Sequence, residues 1–470
     1  MLALGIILCY LLGLSVMLLI NRKYLLAELI GYSFLIGIGL ETVFLFLLDI
    51  VGVQYSVGAL VGLNVLSILA INAANYKGLL QLKDEFKMPS FDIKHINFVA
   101  VFLFALAAYL FYVITVKNLF WPATEHDSIG SFDKLARIMA IEGKLKISLF
   151  QYGLEGAGGV YPPLFHGSLA YAYIFGGIYV LPKIMITLYF LSLLTVFYSV
   201  VNKYVGSTAG ALLTFILMIT PELFSHAALG LGNLPTTAYV CAGGLATILW
   251  LDKNDTKYFW LGAICMAFVI WIRSDTVVFT AASLLLAAIY FLRTKDFKRT
   301  LAYGAIVVAP FVIWTLYVKM KLAVPSQGAR FDLGLGYNAE RMDQVGGYAK
   351  AYLFAGHKGG VDGAQLYGLT FVLFFLTLIA NVLGAYFIKD RKQLLNGAYA
   401  LLFFFASFAL YFAVFYFINV KVQNAPMWSL MESSFKRGMF FFIPAALLYV
   451  ATSPLSTIAF AKLEKFRTGQ

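Results

Sequence analysis

Charge is what this chain is shortest of. Asp, Glu, Lys and Arg together make up 12% of it, roughly half the share of a soluble domain. A chain of 470 residues that is 61% hydrophobic cannot hide its apolar side chains in one globular core. It must bury them in lipid, in spans of about 20 residues. Cysteine is scarce as well. Cys9, Cys241 and Cys265 all lie inside apolar runs and form no CxxC pair, so they read as small buried hydrophobes and not as a disulfide or metal site. The five histidines match no metal-ligand spacing, and no zinc site is expected. No soluble domain, low-complexity tract or internal repeat interrupts the apolar pattern. A cleavable signal is not expected either. No basic residue precedes the run Leu2 to Ile20, and Asn21-Arg22-Lys23 follow it, the pattern of a first helix inserted with its N-terminus outside. The net charge of +12 does not point to nucleic acid, because the basic residues sit in short loops between apolar runs.

What is present is a succession of those runs. The fold expected is all-α and polytopic, with about 13 transmembrane helices: 2–20, 25–50, 55–72, 97–116, 165–201, 207–220, 233–251, 258–272, 276–292, 301–318, 366–388, 395–420 and 438–452. Short basic loops at 77–94, Arg293–Arg299, Lys389–Lys392 and Lys462–Arg467 belong in the cytoplasm by the positive-inside rule. Three longer segments, 117–164, about 319–365 and 421–437, then fall outside. Alternation holds if 165–201 crosses once, although it is long enough for two crossings; a juxtamembrane or re-entrant piece beginning at Tyr161 would reconcile the two. The chain divides into N-terminal helices (1–116), a first large outer loop (117–164), a central module (165–318), a second outer loop (319–365) and C-terminal helices with a cytoplasmic tail (366–470).

The outer loops carry amphipathic helices. In 128–142, Ile129, Phe132, Leu135 or Ala136, and Met139 recur at helical spacing, with Asp133, Lys134, Arg137 and Glu142 on other faces, as in a helix lying along a membrane surface. Residues 338–354 make a weaker second example. Just ahead of the first helix stands Glu125-His126-Asp127. Asp127 and Ser128 are favoured N-caps, and a capping bond can also hold a carboxylate in place for chemistry. Tyr161-Pro162-Pro163-Leu164-Phe165-His166 opens a helix, since prolines start one well. Pro221-Glu222 and Gly230-Leu231-Gly232-Asn233-Leu234-Pro235 link two spans, with Asn233 and Pro235 starting the second.

Arg273-Ser274-Asp275 places an arginine at the membrane boundary. It either snorkels and is neutralised by Asp275, or it meets a phosphate or carboxylate that its guanidinium fits bidentately. In Ser433-Ser434-Phe435-Lys436-Arg437, two cations sit on the outer side, where the positive-inside rule does not put them, and a ligand is expected. Glu41 is a lone acid within a span, either a functional group or a packing partner in the bundle. His126, His166, His226 and His357 fall on the outer side.

The order of these motifs resembles the GT-C superfamily of polyprenyl-phosphate-sugar-dependent glycosyltransferases, which includes protein mannosyltransferases, aminoarabinose transferases and oligosaccharyltransferases. The likeness spans about residues 115–445 through short, degenerate motifs and leaves out the first three helices. In that family a first outer loop carries an essential Asp followed by a surface helix, matched by Asp127 and the helix containing Lys134. A YPPL-type helix start is matched by Tyr161 to Leu164, a "GYxDLP" turn by Gly230 to Pro235, an "RPEG"-like turn by Arg273 to Asp275, and a late "SSxxR" by Ser433 to Arg437. The chain departs from the family at Asn233, where relatives often carry a second acid.

The resemblance implies an inverting transfer of sugar from a polyprenyl-phosphate donor to a glycan, lipid or protein acceptor, on the extracytoplasmic face of a cell membrane. Asp127 would be the general base, tuned or oriented by Glu125 or His126. Arg437, Lys436 and Arg273 would hold the donor phosphate, and Lys134, Tyr161, His166, Glu222 and Asn233 would line the substrate site. No cofactor is firmly expected. A divalent cation held between two outer loops, as in oligosaccharyltransferases, is disfavoured by Asn233. Two other readings stand beside this one: a lipid-linked polysaccharide polymerase or ligase, which would call for more outer arginines, and a glycolipid transporter, which would call for two related halves.

Overall fold

The computed structural model describes residues 1–76, 98–145, 161–179, 181–322, 332, 334–385, 395, 397–420 and 425–460, without the side chains of Ser274 and Leu322. The basic loops at 77–94, Lys389–Lys392 and Lys462–Arg467 lie outside these residues. The described chain is almost wholly helical, with one two-residue hairpin (β1, His357–Lys358; β2, Val361–Asp362). Ten of its helices are long and apolar enough to cross a membrane, and two shorter apolar ones accompany them. An all-α, multi-pass membrane protein is the result.

The helices are α1 (Leu2–Ile20), α2 (Leu26–Val51), α3 (Val57–Ala74), α4 (Phe98–Phe120), α5 (Asp133–Glu142), α6 (Leu164–Gly176), α7 (Ile184–Ile219), α8 (Pro221–His226) and α9 (Asn233–Lys253). They continue with α10 (Thr256–Ile272), α11 (Val277–Thr294), α12 (Phe297–Tyr317), α13 (Ala339–Leu353), α14 (Gly363–Tyr367), α15 (Thr370–Gly384) and α16 (Ala398–Tyr416). The last, α17 (Met427–Thr452), contains a π-helical turn at Met431–Phe435 and a tighter turn at Phe440–Phe442.

Helix α9 is the hub. Every residue from Asn233 to Leu251 is buried, against α7, α10 and α11. At the periphery, α3 and α4 expose Leu66, Leu69, Phe98, Phe102, Tyr109 and Tyr112. So much apolar surface facing outward is what lipid, and not water, accommodates.

The apolar run read as 165–201 is two elements. The chain leaves α6 at Gly177 and starts α7 only at Ile184. The bulk hydropathy of the run conceals this break, because Ile178, Tyr179 and Leu181 are as apolar as the helices around them. Helix α7 then turns sharply at Gly206, whose φ of 78° and ψ of 176° lie outside the helical region and suit a residue without Cβ. Its two limbs face one apolar groove, with Leu191, Leu194 and Tyr198 from the first limb and Ala211, Phe215 and Met218 from the second.

Where lipid surrounds helices, small residues let backbones approach closely, and α1 and α2 depend on this. A Cβ on Gly13 would fall 1.9 Å from the Ser33 carbonyl oxygen, and one on Gly37 would fall 1.9 Å from that of Cys9. Gly37→Val is therefore expected to destabilise the bundle by about 1–3 kcal/mol through overpacking. The control, Gly62→Val on α3, has open space around the added Cβ and should leave the thermal unfolding temperature in detergent unchanged.

The surface helix read from 128–142 is present as a π-helical turn, Ser128–Phe132, running into α5. Phe132, Leu135, Ala136 and Met139 are buried as expected, but Ile129 is exposed. The wider π turn rotates it off the apolar face. The second surface helix is α13, whose Val345, Tyr348, Ala349 and Tyr352 are buried.

Candidate active site

The residues between Phe120 and Asp133 cross one end of the bundle, and there the polar candidates gather. Asp127 precedes the π turn, yet its side chain makes no capping bond, so the capping expectation fails. Its carboxylate is turned instead to Arg437, 310 positions away in the sequence, in an ion pair with the guanidinium Nη1. Arg437 sits in the first regular turn after the π-helical turn of α17. The Ser128 hydroxyl does not cap either: it is buried and has no hydrogen-bond partner. Glu125 contributes its backbone, accepting the amides of Ser128 and Ile129. Neither its side chain nor that of the exposed His126 bonds to Asp127, so the orienting role expected of them has no contact behind it.

The neighbouring cation, Lys436, reaches Glu222 on α8 at 3.4 Å. The same Glu222 oxygen lies 3.5 Å from Nε2 of His226, one helical turn on. The His226 ring packs against Phe440 at 4.8 Å, which ties α8 to α17. Burial alone would raise the Glu222 carboxyl pKa; the hydrogen bond and charge of His226, and then those of Lys436, more than offset it and hold the group below the ordinary carboxylate value. A depressed native pKa stabilises the fold above the unfolded value and ceases to do so as the pH falls through the native one. Wild type should therefore melt higher than Glu222→Gln at pH 7, and the gap should close as the pH drops below about 4. Unfolding temperatures measured across that range check the sign.

Arg273 forms a third pair. Its Nε and Nη2 donate to the two oxygens of Asp275 at 3.0 and 2.6 Å, and its Nη1 donates to the Asn233 side-chain oxygen at 2.6 Å. The guanidinium lies over the Tyr161 ring, 5.2 Å from its centroid. Burial works against its charge, but Asp275, Tyr161 and Tyr411 outweigh that and raise its pKa. Self-neutralisation by Asp275, one of the two sequence readings, is what the geometry holds. Asn233 stands where a second acid was looked for, and it spends its amide oxygen on Arg273. Among the described residues, no three His, Cys, Asp or Glu side chains cluster in a metal-holding group.

The remaining candidates divide. Tyr161 stacks on Phe132 as well as under Arg273, so it belongs to the wall of the site. Lys134 projects from the exposed face of α5, away from the apolar face that packs on α6. His166 is buried inside α6 with Nδ1 unpartnered and joins none of the three pairs. Glu41 is fully buried; one carboxylate oxygen accepts the Tyr171 hydroxyl at 3.1 Å, and the other has no partner among the described residues.

An apolar groove of about 450 Å³ opens beside the Lys436 pair. Ile216, Ile219 and Pro221 form one wall, and Leu369, Val372 and Leu373 the other. Tyr367 closes its inner end and donates its hydroxyl to the Lys436 carbonyl.

Comparison of the chain with protein-family models, with curated proteins and with solved structures finds no match. The functional reading rests on the site.

Proposed function

We propose that the chain is a membrane glycosyltransferase of the GT-C type, moving a sugar from a polyprenyl-phosphate donor to an acceptor hydroxyl with inversion. The observation that carries this reading is the Asp127–Arg437 pair: an acid and a cation, distant in sequence, joined at the polar end of an apolar bundle. The groove between α7 and α15, ending at Tyr367 beside Lys436, offers a polyprenyl tail a lipid-side approach to those cations.

Thirteen crossings are proposed: the ten long apolar helices, the two shorter ones, and the second limb of α7 taken apart from the first. Lys257 hydrogen-bonds the Lys23 carbonyl, and the Arg293–Arg299 turn links α11 to α12 at the end of the bundle opposite Asp127. The positive-inside rule puts that end in the cytoplasm and the Asp127 end on the extracytoplasmic face of the cell membrane.

In this mechanism a donor phosphate takes the Arg437 guanidinium in place of Asp127, matching it bidentately. The freed Asp127 carboxylate accepts the proton of the acceptor hydroxyl. The acceptor oxygen bonds to the anomeric carbon from the opposite face as the carbon–oxygen bond to phosphate breaks. Its electron pair leaves on the phosphate oxygen, where Arg437 stabilises the charge, while Lys436, held by Glu222, adds only to the local positive potential. Arg273, already occupied by Asp275 and Asn233, shapes the wall and supports the local positive potential.

The test is a transfer assay with the full chain in liposomes containing polyprenyl-phosphate sugars and a mixed glycan, lipid and peptide acceptor extract. Release of polyprenyl phosphate together with a glycosylated product is expected. A protein that moves the intact lipid-linked sugar across the bilayer without cleaving it is a transporter, and the proposal then fails.

A further inference from the structure

Behind the segment that carries Asp127 lies a second, smaller cavity of about 210 Å³. That is below the 300–1,000 Å³ range of drug-sized sites and suits a single small ring. Its polar lining comes from Ser128, Asp133, Arg137, Tyr173 and Lys183. The Tyr173 hydroxyl donates to Asp133 at 2.6 Å, and Arg137 donates to that hydroxyl at 3.2 Å and to Asp133 at 3.4 Å. The acid is thus already neutralised by its neighbours.

Two features are left over. Ser128 is 1% exposed, and its hydroxyl has no partner among the described residues, although a buried hydroxyl without one is costly. Lys183 is 5% exposed, and among the described residues its ammonium bonds only to the carbonyls of Trp121 and Pro122, at 3.1 and 3.4 Å. Burial, with Lys117 nearby, pushes its pKa down to about 8, and at neutral pH it is a buried cation with no counter-acid among the described residues. Pro122, Pro182 and Leu169 supply apolar walls.

We infer that this cavity binds one sugar ring bearing an acidic group, its carboxylate toward Lys183 and a hydroxyl on Ser128. The lining fits such a ring. Asp133 accepts, Arg137 and Lys183 donate, the two hydroxyls do either, and the apolar walls meet the C–H faces. Because Ser128 follows Asp127 directly in the chain, the ring is the acceptor of the transfer proposed above. That role rests on the transferase reading; the binding itself does not.

The experiment is saturation-transfer NMR with the full chain in nanodiscs, using methyl glucuronide and methyl glucoside as probes and no donor. Methyl glucuronide is expected to bind at least tenfold more tightly. Ser128→Ala, which removes only an unpartnered hydroxyl, should weaken it several-fold, and Asp133→Asn should do so as well. Thermal unfolding reports whether each variant is folded. Absence of glucuronide binding, equal binding of the two glycosides, or binding that Ser128→Ala and folded Asp133→Asn both leave unchanged overturns the inference. Inorganic phosphate displacing the glucuronide with higher affinity would also overturn it, by making the cavity a general anion site. Since no donor is present, a failure of the transferase reading leaves this readout intact.

Discussion

Asp127→Asn should lower sugar transfer about 10²–10⁴-fold, the usual contribution of a positioned general base, with the unfolding temperature unchanged. The substitution is close to isosteric. An asparagine oxygen still accepts a hydrogen bond from Arg437, so binding and local geometry survive, but it takes up no proton at neutral pH. The stability side of the prediction follows from exposure: the Asp127 and Arg437 side chains are 46% and 31% exposed, and ion pairs that open to water contribute about 0–1 kcal/mol. A pair kept for stability would be a weak one, which leaves chemistry as the better reason for it. Asp127→Glu retains the titrating group on a longer arm and should keep part of the activity. Transfer by Asp127→Asn at the wild-type rate would remove the base from the mechanism.

Arg437→Ala should cost about 10²–10³ in kcat, the effect of losing one donor to a developing anion. Arg437→Lys should recover part of this. A lysine restores the charge without the planar fork that fits two phosphate oxygens, and Lys436 beside it cannot substitute while Glu222 holds it at 3.4 Å. The double variant Asp127→Asn, Arg437→Ala should be less impaired than the product of the single effects, because the two groups act in one step. Steady-state kinetics of the four proteins, with donor and acceptor varied separately, measure this. An Arg437→Ala enzyme with unchanged kcat and a raised KM for donor would restrict the arginine to binding.

The fold class was legible because apolar runs of spanning length leave few alternatives, and the short amphipathic helices in 128–142 and 338–354 followed from helical spacing. The residue types of the site were legible too. Asp127 stood ahead of a surface helix, and Lys436 and Arg437 stood where the positive-inside rule gave no reason for them. Their partners were not. Pairing Asp127 with Arg437 and Glu222 with Lys436 requires tertiary contacts that no local pattern encodes. His226 was seen only as one of several outer histidines, although its i+4 spacing from Glu222 on a short helix was a usable signal. Asp133 and Arg137 were placed off the apolar face, but their bonds to Tyr173 were not legible because Tyr173 lies on another helix. The break between α6 and α7 was hidden by its apolar side chains, whereas the turn at Gly206 coincided with the polar break at Asn202-Lys203.

Comparing the lipid-linked sugars and surface glycans of cells that carry the wild-type protein, no protein or Asp127→Asn addresses the central claim most directly. A polyprenyl-phosphate sugar should accumulate on the extracytoplasmic leaflet, and one glycan modification should disappear, both without the protein and with the variant. Identical lipid-linked sugars and glycans in all three would contradict the assignment of a transferase. A lipid-linked sugar trapped on the cytoplasmic leaflet only when the protein is missing, and released by Asp127→Asn, would make the protein a transporter.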